Sequence, residues 1–133
     1  HSGDLPLLQQ LPAHGRQFGI QGLRVPEVDI DLAETTSIPF GAEEIRAVHT
    51  PGHTPGGVTF FFGEQGFFGD SLFQGSVGRT DLGGDAAVYA KTLREVILAL
   101  PDDTVVYTGH GPDTTIGHER IHNPFLNGTM RLS

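Results

Sequence analysis

The sequence predicts an α/β fold, and three observations carry that prediction. Between Glu44 and Phe73 short β-prone runs are separated by glycine-rich turns. From Ala86 to Leu100 the apolar residues recur at helical spacing, and beyond Pro101 another apolar run and another helical segment follow. Across 133 residues this alternation fits one domain, whose single core would bury roughly two-thirds of the unfolded surface.

The first expected element is a short, broken helix from Asp4 to Phe18. Leu5, Leu7, Leu8, Leu11 and Phe18 fall at mixed helical spacing, Asp4 is placed to cap, Pro6 is tolerated in a first turn and Pro12 divides the helix. Arg24 to Gly41 is polar, acidic and punctuated by proline, the pattern of a surface connection with short extended pieces. Three strands are expected next: Ile45-Arg46-Ala47-Val48, Val58-Thr59-Phe60-Phe61-Phe62 and Phe67-Phe68. Gly63-Glu64-Gln65-Gly66 reads as the hairpin loop between the last two. Ala86, Val88, Tyr89, Leu93, Val96, Ile97 and Leu100 mark one apolar face of a long helix that Pro101 ends. Thr104 to Tyr107 reads as a buried strand, and Thr114 to His122 as a last helix stopped by Asn123-Pro124.

Composition excludes several classes. Lys plus Arg is 8 against 16 for Asp plus Glu, a formal charge of −8, and no basic cluster is present to neutralise a phosphate backbone; nucleic-acid binding is not expected. No apolar run approaches the ~20 residues of a membrane helix and no signal peptide is legible, so no membrane association is expected. With no cysteine, neither a disulfide frame, a thiolate zinc knot nor a cysteine nucleophile can form. Any metal must then be held by imidazole and carboxylate, and a cytoplasmic location is the default. The chain opens at His1 and its only methionine is Met130, so a preceding segment is expected.

The most informative stretch is His49-Thr50-Pro51-Gly52-His53-Thr54-Pro55-Gly56, between two expected strands, where prolines and glycines force a tight turn and hold an imidazole outward. Gly69-Asp70-Ser71-Leu72-Phe73 sets a carboxylate just past the Phe67-Phe68 strand. Gly109-His110-Gly111-Pro112 does the same for an imidazole past Val105-Val106-Tyr107. Three polar groups thus occupy three strand ends. Neutral imidazole and carboxylate bind zinc, iron or manganese, and strand ends fix ligand geometry better than free loops do. Each piece alone has a plainer reading: a surface histidine, an aspartate in a turn, a tight Gly-His-Gly. Their order and company make the metal reading stronger.

These three motifs resemble successive signatures of the metallo-β-lactamase superfamily, specifically its glyoxalase II-like branch. The tail Gly-His-Glu-Arg-Ile-His-Asn-Pro-Phe from Gly117 to Phe125 resembles a small bacterial hydrolase subgroup of that branch. The resemblance runs from about Leu5 to Phe125. It implies that His53 is a ligand of a first metal, Asp70 the bridging catalytic carboxylate and His110 a ligand of a second. It implies two divalent ions, zinc or alternatively iron or manganese, and a small-molecule thioester or acyl substrate. The family's site also uses a His-x-His-x-Asp-His cluster, absent from this chain, and the resemblance places His1 shortly after it. The implied fold is therefore an incomplete αββα sandwich whose one sheet lacks its partner. An exposed apolar sheet face, marginal stability, self-association through that face, loose metal binding and little turnover by this chain alone are expected.

In the same family the loop Gly75 to Asp81 carries a cation near the substrate, which makes Arg79 the candidate substrate-binding residue; a surface ion pair with Asp81 is the plain alternative. His49 reads as supporting or structural, and His1 and His14 as solvent-facing. His118-Glu119-Arg120-Ile121-His122 matches the zinc-protease helix pattern, yet Asn123-Pro124 stops the helix and no His, Asp or Glu follows; capping and packing explain it better. Two alternatives to a thioester hydrolase stay open. Persulfide dioxygenases resemble this branch and hold one iron, which would use His53 and Asp70 but not His110. A partner-dependent, inactive piece would follow from an unpartnered sheet.

Overall fold

The computed structural model describes residues 1–133. A single six-stranded sheet runs in chain order: β1 (Ser37–Phe40), β2 (Glu43–His49), β3 (Val58–Phe62), β4 (Gln65–Gly69), β5 (Val105–Thr108) and β6 (Thr114–Thr115). Neighbours pair antiparallel except β4 and β5, which are parallel. A parallel pair needs a crossover, and it contains α3 (Ala86–Thr92). Ahead of the sheet lie α1 (Leu5–Gln9) and α2 (Leu11–Gln17), and α4 (Ile116–His122) follows β6. No helix is long and apolar enough to cross a membrane.

The broken first helix is present, its break at Gln10 and Pro6 and Pro12 each in a first turn. Asp4, expected as a cap, makes no capping bond; its carboxylate reaches across 50 residues to the loop after β2 instead. The proline-punctuated connection delivers one extended piece, β1, with Pro39 on the sheet's edge where a missing N–H is tolerated. The hairpin turn is shorter than expected, Gly63-Glu64 alone, because Gln65 pairs with Phe62.

The long helix also differs from expectation. After α3 the chain widens to a π turn over Leu93–Ile97, with Leu98 N–H bonded to Leu93 C=O at 2.9 Å. The Arg120 guanidinium donates to the carbonyls of Leu98 and Leu100, satisfying groups a helix end leaves open. Thr114-Thr115, read as helix, is a strand pairing β5, and the Thr115 hydroxyl accepts from His118 N–H as the N-cap of α4.

The sheet has two unlike faces. Phe61, Phe68 and Val106 point into a core closed by Tyr89, Leu93, Ile97 and Ile116 from the helices. On the other face Phe60, Phe67 and Tyr107 line up across β3, β4 and β5, and Ile38, Ile45, Phe60, Phe62 and Phe67 line a shallow apolar groove. Phe40 and Phe67 are 61% and 47% exposed, so the expected uncovered apolar face is there.

Candidate metal centre

Sheet topology gathers the predicted ligands. β2 and β4 both run antiparallel to β3, and β5 runs parallel to β4, so the C-terminal ends of β2, β4 and β5 share one edge of the sheet. His53, Asp70 and His110 follow those three ends.

The loop holding His53 closes on itself through Thr50 N–H to Gly57 C=O (2.8 Å) and Gly52 N–H to Thr54 C=O (3.0 Å). The buried Thr50 hydroxyl meets those of Thr59 (3.0 Å) and Ser71 (3.2 Å), joining this loop to β3 and to the turn of Asp70. Asp4 fastens it from outside, accepting from Gly56 N–H (2.6 Å) and the Thr54 hydroxyl (2.8 Å). On the Asp70 side, a Cβ on Gly109 would lie 2.5 Å from Asp70 Oδ1, so only glycine fits before His110.

Asp70 turns one oxygen to each imidazole: Oδ2 is 3.3 Å from His53 Nε2 and Oδ1 is 3.2 Å from His110 Nδ1. The other ring nitrogen of His53 lies 2.6 Å from the Arg79 carbonyl, which can only accept, so Nδ1 carries the proton. With Nδ1 donating to that carbonyl, Nε2 is the ring atom turned to Asp70 Oδ2, as a ligand sharing an ion with that carboxylate would be. Two atoms bound to one ion at roughly 2.0–2.1 Å and a near-tetrahedral angle are about 3.3 Å apart, and the donor set therefore fits a metal. No three His, Cys, Asp or Glu side chains converge on one ion. The chain offers two pairs that share Asp70, and each pair requires further ligands to complete a site.

The remaining candidates fall elsewhere. The Arg79 guanidinium pairs with Asp81 through Nε and Nη2 (2.6 and 2.5 Å), and these bonds hold the Asp81 carboxyl down at about 2. What Arg79 gives the centre directly is its main-chain carbonyl. His49 donates to or accepts from nothing in the centre; its Nε2 meets the Pro55 carbonyl at 2.8 Å and its ring stacks on His1 at 3.9 Å. His1 is thus partnered rather than simply solvent-facing, and its Nδ1 also accepts from Gly3 N–H. In the protease-like motif Glu119 is fully buried and accepts from Gly75 N–H, Asn123 Nδ2 and the Thr114 hydroxyl, which makes it a structural tie.

Two residues of the surroundings escaped sequence reasoning. The local sequence points Asp4 to a helix cap, and nothing in it shows a bond to a loop 50 residues away. Periodicity places Tyr89 in the core; the one further signal is a hydroxyl on an apolar helix face, which demands a partner. It is fully buried, with its phenol pushed up from the ordinary value by burial.

Residues 2–110, which include all three predicted ligands, match the family model of the metallo-beta-lactamase superfamily. The chain belongs to that superfamily. It is 38% identical over 130 residues to the hydroxyacylglutathione hydrolase GloC of Haemophilus influenzae, covering 91% of this chain and 59% of that protein. Among solved structures it is similar to TTHA1623 in a di-iron-bound form (41% identity, TM-score 0.79, 95% of this chain and 63% of that one). It is similar also to the BLEG-1 B3 metallo-beta-lactamase (39% identity, TM-score 0.80, 96% and 64%). The chain spans about half the length of the curated relatives it matches.

Proposed function

We propose that Asp70 serves as the bridging carboxylate, and His53 and His110 as one imidazole each, of a two-ion centre in a hydrolase of thioester or related acyl substrates, of the glyoxalase II type. The observation that carries this reading is the Asp70 carboxylate facing a different imidazole nitrogen with each oxygen, at 3.3 and 3.2 Å. The likeness to GloC supports the thioester class. The di-iron form of TTHA1623 supports a paired site, and the thiolate-free donors suit zinc, iron or manganese.

When bound, such ions polarise an acyl carbonyl and make a bound water acidic enough to attack near neutral pH. Asp70 would supply negative charge to both positions, one oxygen facing each imidazole. His53, held through Nδ1 by the Arg79 carbonyl, keeps Nε2 free and its ring oriented. His110, 76% exposed against 24% for His53, stands at the open side where a substrate would approach. The Arg79 guanidinium, 62% exposed on the stretch between β4 and α3 that follows Asp70, would exchange Asp81 for a substrate carboxylate.

The exposure of His110 favours one second reading, a mononuclear iron enzyme using His53 and Asp70 and oxidising a persulfide with oxygen. The test is made on the whole protein with metal analysis after dialysis, thioester hydrolysis with a hydroxyacylglutathione, and oxygen uptake with a persulfide. Two metals per chain and hydrolysis, both lost in Asp70→Ala with at least a 1,000-fold fall in kcat/KM, are expected. An Asp70→Ala variant that keeps metal and rate rejects the assignment; one iron with oxygen uptake selects the second reading.

A further inference from the structure

We propose that Tyr89 is the positioning residue of this centre: its hydroxyl locks the Asp70 turn to the loop that aims His53, and so sets the affinity for the ion. The inference rests on the metal-binding reading above.

The hydroxyl ties the Asp70 turn to the Gly78 segment, whose next residue orients His53. It donates toward the main-chain carbonyls of Ser71 (2.8 Å) and Asp70 (3.1 Å), and it accepts from Gly78 N–H at 2.9 Å. Gly78 is followed by Arg79, whose carbonyl holds His53 Nδ1 at 2.6 Å. One oxygen atom therefore stands a single residue from the group that orients His53, and on the carbonyl of Asp70 itself. The ring secures the remaining side. A Cβ on Gly52, whose φ is +149°, would lie 2.2 Å from Tyr89 Cγ, so the residue before His53 rests directly on the aromatic face.

Helix α3 is itself attached to the His53 loop. Asp85 N–H donates to Gly52 C=O (2.9 Å) and the Thr92 hydroxyl to Pro51 C=O (2.7 Å), which flank Tyr89 on the same helix and leave it no freedom to drift. Packing alone would be met by an apolar ring. A phenol in a fully buried place with one donor and one acceptor role filled serves the alignment of polar loops instead.

The probe is zinc alone, titrated into the whole protein in metal-free form. Tyr89→Phe keeps the ring on Gly52 and removes only the hydroxyl; a zinc affinity 10- to 100-fold weaker is expected, the scale seen when groups behind metal ligands are removed. Ile97→Val, in the same core, is the stability control and should bind zinc as the parent does. Unchanged affinity in Tyr89→Phe, or an equal loss in Ile97→Val, overturns the inference while leaving the metal reading intact. A parent protein that binds no zinc, iron or manganese removes the metal reading first. Should Tyr89→Phe fail to fold, 3-fluorotyrosine retains the hydroxyl: the fluorine resonance of Tyr89, assigned against Tyr107→Phe, should move with zinc occupancy. A resonance that stays in place overturns the proposal.

Discussion

Glu119 sits fully buried, its carboxyl oxygens held by three donors at 2.8–2.9 Å from Gly75, Thr114 and Asn123. Its removal strands those donors in the interior, so Glu119→Ala should lower unfolding free energy by about 3 kcal/mol, read from the urea midpoint at constant slope. Arg79 tests the opposite, exposed extreme. Its hydrogen bonds to Asp81 lower that carboxyl from 3.8 to about 2, so the pair's contribution is present above about 4 and lost as pH falls through about 2. In Arg79→Ala the Asp81 carboxyl followed by NMR should titrate near 3.8. The same variant should raise KM for an anionic thioester with little change in kcat; an unchanged KM removes Arg79 from substrate binding.

Among elements, the loop after β2 depends on contacts from outside itself. Asp4, at the start of α1, holds Gly56 N–H and the Thr54 hydroxyl, and a partly buried carboxylate in that role contributes roughly 1–2 kcal/mol. Asp4→Ala should therefore speed hydrogen exchange at the Gly56 amide selectively, with core amides such as Val106 unaffected; uniform acceleration would mean that the tie is not local. The helix between β4 and β5 shows a similar dependence on distant groups. Its apolar periodicity was legible from Ala86 to Leu100, but the π turn over Leu93–Ile97 was not. The two carbonyls beyond that turn are held by Arg120, 20 and 22 residues away, and no local pattern announces such a partner.

For the whole molecule the decisive feature is a sheet with one covered and one uncovered face. The uncovered face presents Phe40, Phe60, Phe62 and Phe67 along neighbouring strands, and the chain on its own should associate through it as concentration rises. Sedimentation should show that association falling in Phe67→Glu, a change at an exposed position; a monomeric parent at all concentrations would contradict this.

The sequence by itself determined the positions of β2 to β5, the apolar face of α3 and the three ligand candidates. Each of those is written in local period, turn residues or composition. His53, Asp70 and His110 could be placed past strand ends, because glycine and proline punctuate those ends within a few residues. Only the tertiary structure decided that the three ends share one edge, since strand direction depends on pairing partners far away in the chain. It alone turned Asp70 toward both imidazoles, sent Asp4 to a loop rather than a cap, and made the Tyr89 hydroxyl a junction. Polar side chains satisfy their hydrogen bonds with whatever folding brings near, and that choice belongs to the assembled molecule.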